Sequence, residues 1–382
     1  MLTDVTIEGL RGVGCVELHF APDQRIYTLF GANGVGKTKC LEAIWQFLLA
    51  SNKDFARNYW AKPVSRDVAV MARMSDASTG MQLEVSEHKN SFTLGEIWKG
   101  DVPLHNVPVV FIGAGRRASL AGEDVIIADV VGTFADRRLA YFNDLFDALN
   151  KGQLSSLGMM GSTRTWFRTR ALSANSFQES KDNREVEIYA VLSMLHEVGE
   201  RIDPKFLEID GRGRVFLKVD GEKRELGELS SGFASLVKLM QAIVAGYAAF
   251  TNEVQLQNVR GIVLIDEIDS HLHASWQAKI IPCLKKLLPN TTFYIATHSP
   301  LVLVQLLQGE AYLLERHGDG VVHSRLIDYP NRRLFDDVLK GVTKVDLNEL
   351  KLSSMEEDDQ TEAKQGLLSL LDQFEEQEKV RP

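Results

Sequence analysis

The sequence is poor in cysteine and has no excess of positive charge. Its 382 residues include three cysteines, Cys15, Cys40 and Cys283, whose spacing fits no zinc or thiol–disulfide motif. A few widely spaced cysteines are typical of a reduced, cytoplasmic protein. The formal net charge of −9 excludes a chain that binds nucleic acid through its overall charge, although a local basic groove is compatible with it.

The sequence also lacks a recognisable targeting segment and a membrane span. Its first eight residues contain two acidic side chains and do not show the basic-then-apolar pattern of a signal peptide. The longest apolar stretch, 233–250, is interrupted by Lys238 and Gln241, so it predicts a buried helix rather than a helix that crosses a bilayer. No internal repeat of fixed period is visible.

The composition that remains is that of a globular protein, with 45% hydrophobic and 25% charged residues. Alternating apolar residues predict a hairpin within 1–20, and the order strand, glycine loop, helix follows over 25–50. Further along, strands and helices alternate. They are predicted at 231–250 (helix), 261–266 (strand), 273–287 (helix), 292–296 (strand) and 300–307 (helix). This alternation predicts an α/β fold with a largely parallel sheet and crossover helices.

The middle of the chain interrupts that pattern. Helical patterns at 124–150 and 185–202 flank a stretch, 151–184, that is rich in serine, glycine, threonine and asparagine and predicts a loop. A hairpin is predicted at 206–219. We therefore divide the chain into an N-terminal half of the core (1–119), a helical insertion (120–205), a C-terminal half of the core (206–325) and an acidic, helical tail (326–382).

The strongest motif is the segment 31–38, Gly-Ala-Asn-Gly-Val-Gly-Lys-Thr, which fits the phosphate-loop pattern and lies between a predicted strand and a predicted helix. Glycines allow backbone N–H groups to surround an anion, and the helix N-terminus adds partial positive charge. We expect Lys37 to reach the β- and γ-phosphates of a nucleotide and the Thr38 hydroxyl to bind Mg²⁺. The residues expected to contact the nucleotide through this loop are Asn33, Gly34, Gly36, Lys37 and Thr38.

A second motif is the apolar strand 262–265 followed by Asp266 and Glu267. Carboxylates at the carboxyl end of a parallel strand face the ligand crevice of an α/β sheet. We expect Asp266 to hold the Mg²⁺ ion and Glu267 to act as the general base for the attacking water. If the pair is considered without the phosphate loop, the alternative is a solvent-exposed turn that contains Asp and Glu.

The order of four motifs resembles that of ABC-type ATPases. The phosphate loop is followed by Leu229-Ser230-Ser231-Gly232, then by the Asp-Glu strand, and then by His298 after the next strand. In that family the signature serine and glycine, here Ser230 and Gly232, bind the γ-phosphate of the nucleotide held by the opposite protomer. The resemblance likewise makes His298 the histidine that contacts the γ-phosphate. Ser231 and Phe233 depart from the glycine and glutamine that are usual in transporters.

Two features of that family are harder to place. The glutamine of the Q-loop has no clear counterpart: Gln82 is the nearest candidate, and the segment 113–117 (Gly-Ala-Gly-Arg-Arg) ends a strand and can occupy that region. The alternative for 113–117 is a glycine turn with surface arginines. His271 and His273 match the family's D-loop, and a metal site built on these two histidines is a weak alternative.

Within ABC-type ATPases, the chain resembles the RecF/OLD/SMC-like branch and the standalone ATPases of bacterial defence operons, such as those of Septu-type systems. The opening strand pair with Gly9-Leu10-Arg11-Gly12, the segment 41–44 after the phosphate loop and the run 266–273 carry this resemblance. It implies a mixed sheet with an N-terminal antiparallel β-subdomain and an inserted helical subdomain. Because 84 residues follow His298 and no heptad repeat is present, we expect neither a Toprim nuclease domain nor an SMC coiled coil.

The resemblance implies an ATP- and Mg²⁺-dependent switch in anti-phage defence. It would close as a homodimer or higher oligomer and control an effector, such as a nuclease, encoded nearby; no membrane partner is expected. A helical stripe at 367–374 is either a partner helix or a helix docked on its own domain. The alternative function is a RecF-like ATPase that binds DNA directly. Its best local candidate is the cationic and aromatic segment 164–170, which can also be an amphipathic surface helix.

Overall fold

The computed structural model describes residues 2–86, 89–99, 102, 104–115, 117, 120, 131–159 and 161–332. Most of the predicted tail, including the stripe at 367–374, lies outside the described residues, as does the first part of the helix predicted at 124–150.

The described chain forms sixteen β-strands and nine α-helices. The strands are β1 (Asp4–Leu10), β2 (Gly14–His19), β3 (Ile26–Phe30), β4 (Pro63–Ser65), β5 (Arg73–Asp76), β6 (Met81–Glu84), β7 (Ser91–Thr93), β8 (Trp98–Lys99), β9 (Val109–Ile112), β10 (Ile202–Ile209), β11 (Val215–Val219), β12 (Glu222–Glu225), β13 (Gly261–Ile265), β14 (Thr291–Ala296), β15 (Ala311–Arg316) and β16 (Val322–Leu326). The helices are α1 (Lys37–Ala50), α2 (Lys53–Tyr59), α3 (Phe134–Lys151), α4 (Thr163–Ser173), α5 (Glu185–Val198), α6 (Ser231–Phe250), α7 (Ala274–Gln277), α8 (Ile280–Leu287) and α9 (Pro300–Leu303).

Eleven strands form one mixed sheet in the order β8-β6-β5-β1-β2-β16-β15-β3-β14-β13-β9. The last five strands, from β15 to β9, pair in parallel throughout. On the other side of the sheet, the strands from β8 to β2 pair antiparallel, and this half contains the predicted hairpin. The sheet is therefore a mixed α/β sheet with an N-terminal antiparallel β-subdomain, as the sequence predicts.

Helices cover both faces of the parallel half. Successive side chains of a strand point to opposite faces, and two adjacent residues of β9 show where the helices lie. The Phe111 ring contacts Trp45 of α1, with ring centroids 5.6 Å apart. Val110 packs so closely against Gly246 of α6 that a Cβ at Gly246 would come within 2.6 Å of its side chain. The helices α1 and α6 therefore lie on opposite faces of the sheet.

The helix α6 is apolar because it is part of the core. Among the described residues it is the one helix long and apolar enough to cross a bilayer, but 89% of its most apolar window is buried inside the protein. Burial between the sheet and the helices α3 and α5 accounts for its composition.

The described part of the insertion contains the helices α3, α4 and α5, and it is followed by the antiparallel sheet β10-β11-β12. The loop prediction for 151–184 is wrong over α4. This helix has few apolar residues, but the Ser162 side chain caps it by accepting a hydrogen bond from the Thr165 N–H. Ion pairs from Arg164 to Glu225 and from Arg170 to Glu187 anchor it to other elements. Tertiary contacts of this kind cannot be read from the local pattern.

Two predicted helices are shorter in the structure. The helix predicted at 273–287 is divided into α7 and α8 by a break at Ala278 and Lys279. The helix predicted at 300–307 ends after one turn, at Leu303. The other helices and strands of the predicted core are present, with ends that differ by a few residues.

Candidate nucleotide-binding site

The carboxyl ends of three neighbouring parallel strands bring the predicted site residues together. The strands β3, β14 and β13 are adjacent in the sheet. The loop 31–36 follows β3, Thr297 and His298 follow β14, and Asp266 and Glu267 follow β13. Because the strands are parallel, all three segments lie at one edge of the sheet, which is where ligands bind in open α/β folds.

The phosphate loop has the backbone geometry that its glycines permit. Gly36, directly before α1, has φ +111, a region that residues with a Cβ rarely adopt. A Cβ at this position would also lie 2.8 Å from the Val13 side chain. In the described structure no side chain caps the N-terminus of α1, so its first amides are available to an anion.

Lys37 is held over this loop. Its Nζ donates hydrogen bonds to the carbonyls of Gly31 (2.7 Å) and Ala32 (3.0 Å), and the residue is 9% exposed. Burial lowers the pKa of the lysine, whereas the nearby carboxylates of Asp266 and Glu267 act in the opposite direction. The side-chain nitrogen of Lys37 therefore lies at the edge of the sheet where phosphates would bind.

Thr38 and Asp266 form the centre of the site. The Thr38 hydroxyl donates to the two carboxylate oxygens of Asp266 at 2.9 and 3.1 Å. Asp266 is 2% exposed, and burial raises the pKa of its carboxyl to about 6, although the hydrogen bond from Thr38 and the charge of Arg117 lower it. A hydroxyl and a carboxylate side by side are hard oxygen ligands that suit Mg²⁺, which takes few protein ligands together with phosphate oxygens. These residues therefore fit a magnesium ion.

Glu267 follows Asp266 in an unusual backbone conformation. Its φ is +43, in the left-handed region, although it carries a Cβ. Its carbonyl accepts a hydrogen bond from the Ser270 N–H at 2.8 Å, which closes the turn after β13. The side chain is partly exposed at the edge of the sheet, so a water molecule can reach this carboxylate.

His298 is partly exposed and is held by an acidic residue that follows the Asp-Glu pair. Its Nε2 lies 3.3 Å from Oδ2 of Asp269, and 56% of its side chain is exposed. The other carboxylate oxygen of Asp269 accepts a hydrogen bond from the Thr297 hydroxyl. Asp269, itself buried, thus links the turn after β13 to the residue predicted to contact the γ-phosphate.

Gln277 is a second link between these segments, and the sequence reasoning missed it. Its amide nitrogen donates to the Leu272 carbonyl (2.9 Å) and its amide oxygen accepts from the Ser299 hydroxyl (2.7 Å). It therefore joins the segment after Glu267 to the segment around His298. Gln277 follows closely after the run 266–273 that carries the family resemblance, and this position is the signal that could have drawn attention to it.

The signature residues lie at the N-terminus of α6, which Ser230 caps by accepting a hydrogen bond from the Phe233 N–H. Gly232 lies against the 266–273 segment, where a Cβ would come within 3.0 Å of the His271 carbonyl. Both residues line a cavity of about 780 Å³, together with His273 and Trp276. No residue of the loop 31–38, which the structure describes in full, belongs to that lining. Within one chain, the phosphate loop therefore does not share this cavity with the signature residues.

The segment 113–117, a candidate for the region of the Q-loop, begins directly after β9. Gln82 lies on β6, six strands away from β3 in the sheet, and is not part of the site. The strand β9 pairs in parallel with β13, so the segment beginning at Gly113 starts beside Asp266. Arg116 lies outside the described residues. Arg117 is not a surface arginine, since only 1% of it is exposed and it donates to the carbonyls of Asp266 and Glu267.

The predicted nucleic-acid segment 164–170 is not a stacking surface. Trp166 is 8% exposed and Phe167 is fully buried, so neither ring can receive a base. Arg170 pairs with the buried Glu187 at 2.9 Å. The segment is α4, whose aromatic residues pack into the helical insertion.

The two histidines of the D-loop differ in their surroundings. The His273 ring accepts a hydrogen bond from the Ser275 N–H at the start of α7, and His271 is exposed with φ +61. Over the described parts of the chain, no group of three or more histidine, cysteine or acidic side chains is arranged to hold a metal ion.

The fold and the arrangement of these motifs resemble those of ABC-type ATPases, and the similarities to known proteins support an ATPase of that type. The profile of the family described as "AAA domain, putative AbiEii toxin, Type IV TA system" matches residues 174–304. The chain is similar to the Septu protein PtuA of Bacillus thuringiensis, with 25% identity over 333 residues that cover 85% of this chain and 78% of that protein.

Two further similarities are more limited. The retron Vc95 probable ATPase of Vibrio cholerae serotype O1 biovar El Tor is 40% identical over 85 residues, which are 22% of this chain and 16% of that protein. Among solved structures, an SMC head bound to the C-winged helix domain of ScpA aligns with a TM-score of 0.49 and 13% identity, covering 87% of this chain and 99% of that one.

Proposed function

We propose that the chain binds Mg²⁺–ATP at the phosphate loop and hydrolyses it when a second copy supplies Ser230 and Gly232. The observation that supports this proposal is the separation of the two halves of the site. Lys37, Thr38 and Asp266 lie at one edge of the sheet, whereas the signature residues line another cavity. A site divided in this way requires a second protomer to become complete.

The residues have separate tasks in this scheme. Lys37 and the amides of the loop bind the phosphates, and Thr38 and Asp266 would hold Mg²⁺, which neutralises charge on the phosphate oxygens. Glu267 accepts the proton of the attacking water as general base. His298, held by Asp269, contacts the γ-phosphate, so the loop after β14 responds to its presence.

We further propose that this ATPase is a cytoplasmic switch in anti-phage defence. ATP would favour the closed head-to-tail dimer and hydrolysis would reopen it, because only ATP has the γ-phosphate that both protomers contact. The similarity to a Septu protein PtuA and to a retron ATPase supports a defence role. The switch would control an effector, such as a nuclease, encoded nearby. The domain boundaries at 119, 205 and 325 belong to the same proposal.

A RecF-like ATPase that binds DNA directly is the alternative. The burial of Trp166 and Phe167 removes the local feature that favoured it. DNA binding elsewhere on the dimer would still give turnover that depends on DNA, and the experiment below includes that condition.

The test is ATP turnover by the purified chain over a range of protein concentrations, with and without duplex DNA. We expect turnover per protomer to rise with concentration, because the complete site needs two copies. The Lys37→Ala variant, which should not bind nucleotide, is the control for contaminating ATPase. Turnover per protomer that is constant from nanomolar to micromolar protein would contradict the dimer, and strong stimulation by DNA would favour the alternative function.

A further inference from the structure

Arg117 is a fully buried cation directly behind the two carboxylates of the site. Its guanidinium donates four hydrogen bonds to groups in the described chain, and all four acceptors are main-chain carbonyls. Two belong to the end of β9, Ile112 (3.2 Å) and Gly113 (3.0 Å). The other two belong to Asp266 (2.6 Å) and Glu267 (2.8 Å). The planar guanidinium thus joins two neighbouring strand ends.

A buried cation that forms no ion pair lowers the stability of the folded chain, because moving a charged group out of water costs free energy. The presence of Arg117 at this position therefore calls for a function that offsets this cost. Only 1% of Arg117 is exposed, and burial lowers its pKa to about 10, while the charges of Asp266, Glu267 and Asp269 act against that shift. At neutral pH the side chain is therefore still charged. An apolar residue at position 117 could fill the same space. Compared with such a residue, the arginine provides the hydrogen bonds to the carbonyls.

The carbonyls of Asp266 and Glu267 lie on either side of the Glu267 Cα. Holding both fixes the two peptide groups that determine φ and ψ of Glu267. That residue has φ +43, a conformation that is unfavourable for a residue with a Cβ and that persists only when the surroundings impose it. The second hydrogen bond to the Glu267 carbonyl, from the Ser270 N–H, is local to the turn and does not involve the neighbouring strand.

We propose that Arg117 is a positioning residue for hydrolysis: it holds the main chain of Glu267 in the left-handed conformation that presents the carboxylate to the attacking water. This inference rests on the proposed ATPase function, and it assigns to the hydrolytic step a residue whose four hydrogen bonds all go to main-chain carbonyls. Arg117 bonds to main-chain carbonyls and not to side chains. It therefore determines the orientation of Glu267 and leaves the phosphate-binding residues Lys37 and Thr38 in place.

The test compares Arg117→Ala and Arg117→Lys with the wild type in kcat, KM and affinity for a fluorescent ATP analogue. Misplacement of a catalytic group by about 1 Å can lower the rate about 100-fold. We expect kcat of Arg117→Ala to fall by about that factor, with nucleotide affinity changed less than about threefold because binding depends on other groups. Lysine can keep the charge but not the planar fork, so Arg117→Lys should lose most of the same activity.

Chemical rescue separates positioning from a general structural role. Guanidinium chloride at millimolar concentration can occupy the space left in Arg117→Ala and should restore turnover several-fold. Sodium chloride of equal ionic strength should not, and Arg117→Met, which fills the space, should not be rescued. Arg184→Lys is the matched control, since Arg184 is equally buried but bonds to Glu187 and Asn252. That variant should unfold at lower temperature with an unchanged kcat per folded chain.

The outcomes are distinguishable. If the wild type releases phosphate no faster than Lys37→Ala, both the proposed function and this inference fail. If the wild type is active and Arg117→Lys keeps full kcat, only the inference fails. A parallel fall in kcat, nucleotide affinity and thermal stability, without rescue by guanidinium, would make Arg117 an ordinary structural residue and would also overturn it.

Discussion

Thr38 and Asp266 are 228 positions apart in the sequence, yet the hydroxyl of one donates to both carboxylate oxygens of the other. The contact exists because β3 and β13 are separated by a single strand, β14, and end at the same edge of the sheet. Each residue alone is a common surface side chain. Together they form a pair of oxygen ligands next to a buried lysine, and this pair is the chemical basis of the proposed ATPase.

The first prediction concerns Glu267. The Glu267→Gln variant should bind ATP as tightly as the wild type, because the nucleotide contacts of Lys37 and Thr38 remain. Its turnover should fall by at least about 100-fold, since an amide cannot accept the proton of the attacking water. Binding of a fluorescent nucleotide and single-turnover phosphate release measure the two effects separately.

The same variant should also accumulate as an ATP-bound dimer in size-exclusion chromatography with multi-angle light scattering. Lys37→Ala is the control and should stay monomeric under the same conditions. Normal turnover in Glu267→Gln would show that another group activates the water.

At the level of single residues, sequence reasoning was strong where a motif has fixed spacing. The residues Lys37, Thr38 and Asp266 lie together as expected. For the segment 113–117, the sequence left two interpretations open, the region of the Q-loop or a glycine turn with surface arginines. It could not indicate Arg117, because a buried arginine that bonds to main-chain carbonyls leaves no pattern in the sequence. The roles of Asp269 and Gln277 were missed because their hydrogen-bond partners, Thr297 and Ser299, follow a different strand and are distant in the sequence.

Among the elements, the connection between α1 and β9 depends on a half-buried histidine, His105. The His105 Nε2–H donates to the Leu48 carbonyl at 2.9 Å, and its Nδ1 accepts from the Val107 N–H at 3.2 Å. These two bonds require the neutral ring. Burial accordingly lowers the pKa of His105 below 6.5.

The second prediction is the pH dependence that follows. As the pH falls below 6.5, the unfolded chain binds a proton at His105 that the folded chain does not, so the free energy of unfolding decreases. The stabilisation is complete above pH 6.5 and is lost progressively on acidification. Urea denaturation at several pH values should show a smaller loss for His105→Gln than for the wild type over this range. Equal slopes for the two chains would contradict the assignment.

The third prediction concerns the helical insertion. Glu187 of α5 accepts hydrogen bonds from Arg184 and Arg170, and both Glu187 and Arg184 are 1% exposed. Removing one partner of a buried ion pair leaves the other charge uncompensated, so Glu187→Ala should lower the free energy of unfolding by about 3–5 kcal/mol. The measurement is urea denaturation.

The control for Glu187→Ala is Glu185→Ala on the same helix. Glu185 is exposed in the first turn of α5, where its removal should cost only about 0.3–1 kcal/mol through the helix dipole. Similar destabilisation by the two substitutions would mean that the buried network contributes little.

The elements that could be predicted from the sequence are those whose pattern is local. The helix α6 was predicted with its observed ends, and β13 and β14 to within one residue, because each is an apolar run between clear boundaries. The helix α4 was missed because its stability comes from a serine cap and from ion pairs with β12 and α5. The helical pattern at 273–287 was continuous, so it did not indicate the break between α7 and α8.

For the whole molecule, the arrangement of the sheet determines which parts of the site one chain can complete. Strand order brings the phosphate loop, Asp266 and His298 to one edge, and the turn after β13 carries Glu267 towards the same place. The signature residues begin α6 and line a separate cavity. The motif order in the sequence implied this division through the family resemblance, and no local pattern could have indicated it.

The measurement that tests the central claim most directly is the ATPase activity of a mixture of Lys37→Ala and Ser230→Arg chains. Lys37→Ala cannot hold nucleotide but keeps its signature residues, and Ser230→Arg holds nucleotide but obstructs the site of its partner. Each variant alone should be inactive, and thermal denaturation should show that each is folded. Loss of the Ser230 cap can lower the free energy of unfolding of Ser230→Arg by about 1 kcal/mol.

An equimolar mixture should regain about one quarter to one half of wild-type turnover, because each mixed dimer has one complete site where a wild-type dimer has two. Random pairing makes about half of the dimers mixed, and the mixed share rises if Lys37→Ala does not pair with itself. Recovery at that level would establish that ATP is hydrolysed between two chains. A mixture as inactive as its components, or wild-type turnover in Ser230→Arg alone, would contradict the account.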